Sequence, residues 1–195
     1  MEKTTEFARW FGRSKIVNVA GLPIIVFHGT QAGCDRIHQR KRKPDLGFHF
    51  GSLSQAEWFA GYDGIRRTST GSTLIPAYLR IERPLCMPDV FERGIDGAEN
   101  VADWLHKHGI LGPAEARGVF RSRTAPEAYR RLICAIEQAG YDGIIYENIY
   151  EGGTATTNEN SCVVFRVEQI WSLLSRGAFH WSNKNTAAWC SPKVI

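Results

Sequence analysis

This 195-residue chain contains no run of about 18 apolar residues, so the sequence offers no candidate for a membrane-spanning helix. It also lacks a phosphate-binding P-loop, a glycine-rich dinucleotide turn and the motif of a serine-hydrolase triad. The amino-terminal residues do not show the basic and then apolar pattern of a secretory signal, which predicts a cytoplasmic protein. Apolar residues make up 43% of the chain, an ordinary fraction for one globular domain with its own core.

The cysteines are scattered and odd in number. They are Cys34, Cys86, Cys134, Cys162 and Cys190. No two of them form a C-x-x-C pair, which argues against a structural zinc site, and the odd count argues against a disulfide framework. We therefore expect free thiols in a reducing compartment and no bound metal.

One basic segment supplies much of the net charge of +4. It consists of Arg36 and the run Arg40-Lys41-Arg42-Lys43. Such a segment is either a solvated loop or a contact for phosphate or an acidic partner, and both interpretations stay open at this point.

Hydrophobic periodicity and turn residues predict a chain that is rich in strands. Strands are predicted at residues 24–27, 47–50, 74–81, 143–146 and 162–167, and helices at residues 5–13, 54–60, 98–108 and 125–139. Pro76 indicates an edge strand, or a strand whose N-terminal end stays out of the ladder. Thr124 and Glu127 have the spacing of a capping box that opens the last helix.

The predicted strands and helices do not alternate regularly, as they would in a doubly wound parallel sheet. An α+β fold with a mostly antiparallel sheet fits the order of the elements best. We expect one domain over residues 1–172 and a C-terminal tail over residues 173–195 that is either packed or disordered.

Three motifs carry a candidate binding site. They are Val26-Phe27-His28-Gly29-Thr30, Gly47-Phe48-His49-Phe50-Gly51 and Ser161-Cys162-Val163-Val164-Phe165. His28 directly follows an apolar strand and precedes a glycine, an arrangement that aims a side chain and bare backbone at a ligand. The alternative is that His28 caps the strand or bonds within the core. Aromatic rings between glycines suit the stacking of a flat ligand, although they are also common in an ordinary core.

In this order the motifs resemble those of ADP-ribosyltransferases, and in particular the ART-PolyVal group found in polyvalent proteins of phages and mobile elements. The further matching segments are residues 7–17, 21–25, 55–56, 77–85, 140–146 and 166–170. The same skeleton is similar to the catalytic domain of the poly(ADP-ribose) polymerases. The resemblance implies a split fold of mostly antiparallel sheets with flanking helices.

The resemblance also implies a role for each motif residue. His28 matches the histidine that holds the adenosine-side ribose of NAD, and the backbone of Gly29 matches the group that bonds the nicotinamide carboxamide. His49 stands where the polymerases have a ring-stacking tyrosine, and Trp58 or Phe59 supplies the second face. Four neighbouring residues complete the implied NAD site, namely Thr30, Phe50, Gly51 and Ser161.

Ser161 is the main departure from the polymerase pattern, because it replaces the catalytic glutamate of that family. The resemblance therefore implies that the acid lies nearby. Glu151 is the first candidate, Glu147 the second and Glu159 the third. Without a carboxylate at position 161, extension of a poly(ADP-ribose) chain is not expected.

The implied activity is mono-ADP-ribosyl transfer, with NAD as substrate and no metal. Nicotinamide leaves NAD as a neutral molecule, so the reaction needs no general acid, and one carboxylate beside the developing sugar cation suffices. A protein is the expected acceptor, ahead of a nucleic acid, and no membrane partner is expected. The likeness to phage proteins implies an effector or toxin that acts on host machinery. The alternatives are an NAD glycohydrolase and an inactive module that binds NAD or a protein.

Overall fold

The structure is a computed structural model that describes residues 5–30, 45–61, 72–90, 94–148, 159–174 and 177–178. Its elements in chain order are α1 (Thr5–Phe11), β1 (Val26–Thr30), β2 (Phe48–Phe50), α2 (Leu53–Ala60), β3 (Thr73–Leu79), β4 (Pro84–Pro88), α3 (Gly94–Lys107), α4 (Pro113–Phe120), α5 (Ala125–Gln138), β5 (Gly143–Asn148), β6 (Glu159–Val164), a 3₁₀ turn (Val167–Gln169), β7 (Ile170–Ser172) and β8 (Gly177–Ala178). Among the described residues, no helix is both long and apolar enough to cross a membrane.

The chain divides into two compact units. The first unit comprises Met1–Gln39, Gly47–Asp89 and Asp142–Phe179, and the second comprises Arg40–Leu46, Val90–Tyr141 and His180–Ile195. The described strands all lie in the first unit, and the described part of the second unit is helical. The predicted boundary at residue 172 stays a prediction.

The first unit contains two four-stranded sheets, which confirms the predicted α+β class. One sheet has the strand order β1-β3-β7-β8 and is antiparallel throughout. The other has the order β2-β6-β5-β4, in which only β4 and β5 run parallel. Alternate residues of both sheets enter one hydrophobic core, in which Phe50, Ile75 and Leu79 are among the most deeply buried side chains.

Helix α1 adds an aromatic cluster to the same unit and confirms the helix predicted there. Phe7 stacks on Phe11 at 5.5 Å between ring centroids and meets the edge of Trp171 at 5.4 Å. The indole Nε1–H of Trp10 donates to the carbonyl of Glu168 at 3.0 Å. These contacts attach the amphipathic N-terminal helix to strand β7.

Two expectations for the first sheet need correction. The predicted strand at residues 24–27 begins at Val26 instead, and Ile24 and Ile25 are 36% and 44% exposed. An apolar run by itself does not say which of its residues the sheet covers. The edge position inferred from Pro76 is also wrong, because β3 lies between β1 and β7. The other expectation for Pro76 is correct, since pairing with β7 starts at Ala77 and Pro76 needs no N–H there.

In the second sheet, the structure extends the predictions. Strand β4 was not predicted, and it pairs in parallel with β5 from Pro84↔Gly143 to Pro88↔Glu147. Strand β6 begins at Glu159, three residues before the predicted start. This earlier start brings Glu159 into the ladder.

The second unit contains α3, α4 and α5, which pack on one another. Helix α4 was not predicted. Helix α5 starts where Thr124 indicated, but the Thr124 side chain makes no capping hydrogen bond. Glu127 instead accepts bonds from the backbone N–H of Arg123 and from the Arg131 side chain. The capping box is therefore absent because its acid is bonded elsewhere.

The prediction of free thiols is confirmed for two cysteines and wrong for a third. Cys86 and Cys162 are free, whereas Cys134 in α5 is disulfide-bonded. Cys34 and Cys190 lie outside the described residues. Sequence spacing does not reveal which cysteines a fold brings together.

Candidate active site

A short antiparallel contact between β1 and the end of β2 joins the two sheets. Phe27 and Gly51 exchange both backbone hydrogen bonds, at 2.9 and 3.0 Å. Beside this bridge, Nδ1 of His28 lies 2.7 Å from the carbonyl oxygen of His49. Because a carbonyl only accepts, the hydrogen of the His28 ring is on Nδ1, and Nε2 is the acceptor nitrogen. The His28 ring also lies 5.5 Å from the ring of Phe50.

Gly29 is the point of closest approach between β1 and α2. A Cβ added at Gly29 would lie 2.9 Å from the Ala56 carbonyl carbon, 3.2 Å from its Cα and closer still to its oxygen. Gly51 is equally confined, because a Cβ there would collide with the Gln55 side chain. Two glycines thus let bare backbone of β1 and β2 lie directly against α2, which is the arrangement expected of a backbone ligand site.

His49 is held by a buried tyrosine. Its Nδ1 lies 3.1 Å from the hydroxyl of Tyr146, and the two rings meet edge to face at 6.0 Å. On α2, Trp58 and Phe59 are 42% and 37% exposed. The structure therefore offers three aromatic side chains for stacking, of which only His49 has a fixed ring partner among these contacts.

A cluster of three buried polar side chains links α2 to β5 and β6. The Ser161 hydroxyl donates to Oε1 of Gln55 at 3.2 Å and accepts from Nδ2 of Asn148 at 3.1 Å. Oε1 of Gln55 also accepts from the backbone N–H of Ser52 at 2.8 Å, as part of the capping box of α2. Each of Ser161, Gln55 and Asn148 is at most 4% exposed. Ser161 is therefore a structural junction rather than a solvent-facing nucleophile.

The sequence interpretation did not single out Gln55 as a capping residue, or Asn148 at all. The pattern Ser52-x-x-Gln55 before an apolar helix is the signal that identifies the first. No comparable signal exists for Asn148. Its role depends on the pairing of Tyr146 with Ser161, which only the folded sheet establishes.

Strand register separates the acidic candidates. Tyr146 pairs with Ser161 and Asn148 pairs with Glu159, so all four side chains share one face of the sheet. Glu147 alternates with them, is exposed, and lies on the opposite face. Glu151 lies outside the described residues.

The remaining predicted residues are placed as follows. Alternation along β1 places His28 and Thr30 on one face and Gly29 on the other. Phe50 is buried and enters the core beside Cys162, with which it pairs. The basic segment from Arg36 to Lys43 lies outside the described residues.

The electrostatics of the site contain one resolved perturbation. Burial, with a smaller contribution from Cys86, raises the pKa of the Cys162 thiol to about 12. Cys162 is therefore protonated at neutral pH and unsuited to nucleophilic attack. Among the described residues, no group of three His, Cys, Asp or Glu side chains is arranged to hold a metal ion.

Comparison with known proteins gives one finding. A family model described as ADP-ribosyltransferase in polyvalent proteins matches residues 18–178. The match encloses every candidate site residue described above. No curated protein and no solved structure matches the chain.

Proposed function

Because the chain belongs to the ADP-ribosyltransferases of polyvalent proteins, we propose that it is a mono-ADP-ribosyltransferase that takes ADP-ribose from NAD and transfers it to a protein. The observation that carries this proposal is the junction at which His28, Gly29 and His49 come together beside α2. An imidazole, bare backbone and a ring are the groups needed to hold a sugar hydroxyl, a carboxamide and a flat heterocycle.

In the proposed reaction, the bond between the nicotinamide nitrogen and the ribose carbon breaks. Both bonding electrons leave with nicotinamide, which departs neutral, and the sugar becomes a cation. A nucleophilic side chain of the acceptor then bonds to the same carbon and loses its proton to solvent. The protein lowers the barrier by holding the two reactants in line and by placing negative charge beside the cation.

The chain's own residues have distinct parts in this proposal. Nε2 of His28 accepts a hydrogen bond from a ribose hydroxyl, because Nδ1 is committed to the His49 carbonyl. The backbone of Gly29 bonds the carboxamide. The His49 ring stacks on nicotinamide, with Trp58 or Phe59 on the other face. Thr30 and the backbone of Gly51 line the same junction, with Phe50 and Ser161 buried behind it.

The neutral cluster at Ser161 supports transfer of a single ADP-ribose unit. Its hydroxyl is engaged by Gln55 and Asn148, so it has no charge with which to activate a second sugar. The same observation favours a second candidate, a module that binds NAD without turnover. The family's occurrence in polyvalent proteins supports an acceptor in a host cell and an effector role.

The proposal is tested with NAD labelled in its adenylate phosphate, incubated with the purified protein and a bacterial lysate. We expect label in protein bands and an equal amount of released nicotinamide. Free ADP-ribose without labelled protein would indicate a glycohydrolase, and intact NAD would refute both enzymatic proposals.

His28→Ala is the variant that assigns the site, and we expect it to raise KM for NAD about tenfold or more, the cost of losing one hydrogen bond to a bound ligand. The matched control is His108→Ala. His108 also bonds a carbonyl through Nδ1, at 2.8 Å to Trp104, but it lies at the end of α3. Equal loss of activity in the two variants would contradict the proposed site.

A further inference from the structure

Resting on this proposed function, we infer that Glu159 supplies the carboxylate that faces the sugar cation. The inference begins with an unusual atom. Oε2 of Glu159 is buried, and no described residue makes a hydrogen bond to it. Buried polar atoms in native proteins are nearly always paired, so an unpaired carboxylate oxygen indicates a partner that arrives with a ligand.

The position of Glu159 on β6 brings it to the correct face of the sheet. It pairs with Asn148, two residues along from the Tyr146–Ser161 pair, and side chains two apart on a strand share a face. Glu159 is the only acidic residue on that face in strands β2, β4, β5 and β6. Along the strand it is about 7 Å from Ser161, the distance that two residues span.

The backbone at Glu159 is fixed against α2. Nε2 of Gln55 donates to the Glu159 carbonyl at 3.1 Å, while Oε1 of the same amide accepts from Ser161. One buried glutamine therefore holds two successive positions on this face of β6. The side chain of Glu159 projects from a clamped strand, which is the preorganisation that electrostatic catalysis requires.

The surroundings of Glu159 contain no competing charge among the contacts described. Ser161, Gln55 and Asn148 are neutral and bond one another. A carboxylate in such surroundings interacts strongly with a cation because little water or countercharge screens it. A ribose hydroxyl is a hydrogen-bond donor and would pair the unsatisfied Oε2, so the sugar supplies both the donor and the positive charge that this oxygen lacks.

The experiment compares initial rates of nicotinamide release from NAD for the full chain and for Glu159→Gln, which keeps the size of the side chain and removes its charge. We expect kcat to fall about 10² to 10³-fold, the scale of removing one preorganised electrostatic group, with KM for NAD within about threefold. Glu168→Gln is the matched control, because Glu168 is an exposed acid of the same unit on the 3₁₀ turn. It should retain the wild-type rate.

A second variant protects the test against misfolding. Glu159→Asp keeps the charge but withdraws it, and it should lose less activity than Glu159→Gln while unfolding at a similar temperature. Glu151→Gln and Glu147→Gln measure the two competing acids. Greater loss in either of them than in Glu159→Gln would overturn the inference, as would a wild-type rate in Glu159→Gln.

The two proposals fail in different ways. Absence of nicotinamide release from the wild-type chain refutes the proposed function, and the role of Glu159 falls with it. Release from the wild-type chain that Glu159→Gln retains refutes the role of Glu159 alone.

Discussion

A single methyl group at Gly29 should separate β1 from α2. In Gly29→Ala the new Cβ would lie 2.9 Å from the Ala56 carbonyl carbon, where ordinary contact needs about 3.4 Å or more. Gly29 is not among the glycines with positive φ, so the backbone of β1 accepts alanine without strain. The predicted cost therefore comes from the collision with α2 alone.

The magnitude follows from what the methyl meets. Overpacking of a filled interior costs about 1–3 kcal/mol, and here the obstacle is backbone, which cannot rotate away. For a chain of this size, 1 kcal/mol corresponds to about 2–4 °C in Tm, so we expect Tm to fall by about 2–12 °C. Helix α2 also carries Gln55 and Trp58, and its displacement should lower kcat for NAD cleavage up to about 10²-fold, the scale of a misplacement near 1 Å.

The assay is thermal unfolding followed by circular dichroism, with nicotinamide release measured on the same preparations. Gly118→Ala is the matched control, because a Cβ at Gly118 in α4 would meet only the flexible end of Arg131, at 3.3 Å. That variant should gain about 0.5–1 kcal/mol from helix propensity. If Gly29→Ala melts at the wild-type temperature with full activity, the close approach described here is wrong.

Two further predictions follow from the same region. Ser161→Ala leaves the Asn148 amide without the acceptor it now bonds, so the free energy of unfolding should fall by about 1–3 kcal/mol, which urea titration measures; an unchanged midpoint would contradict the cluster. Iodoacetamide at pH 8 should alkylate Cys86, which is exposed, and spare Cys162, whose pKa is raised to about 12; peptide mapping by mass spectrometry distinguishes them, and equal labelling would show that Cys162 is accessible.

The predictions that held from sequence depend on local features. The helix that carries Phe7 and Phe11, the helix that ends before Gly109 and the strand Phe48–Phe50 were all predicted, because periodicity and glycine punctuation act over a few residues. The ordered motifs also predicted the family, which the match over residues 18–178 confirms.

The predictions that failed involve competition between distant residues. Glu127 had the spacing for a capping box, but Arg131 and the backbone of Arg123 engage its carboxylate. Pro76 indicated an edge, but the sheet places β3 in its interior and starts the pairing with β7 one residue later. In each case the local rule was valid and a partner far along the chain, or one turn away, decided the outcome.

The choice among the acids shows the same division. The sequence by itself determined the fold class, the order of the motifs and the residues that form the junction at His28 and His49, because these follow from short patterns. Only the tertiary structure decided that Glu159 shares a face with Ser161 and that Glu147 does not. The physical reason is that side chains on a strand alternate between faces, so a shift of one residue in pairing reverses every assignment, and that register is set by strands distant in the chain.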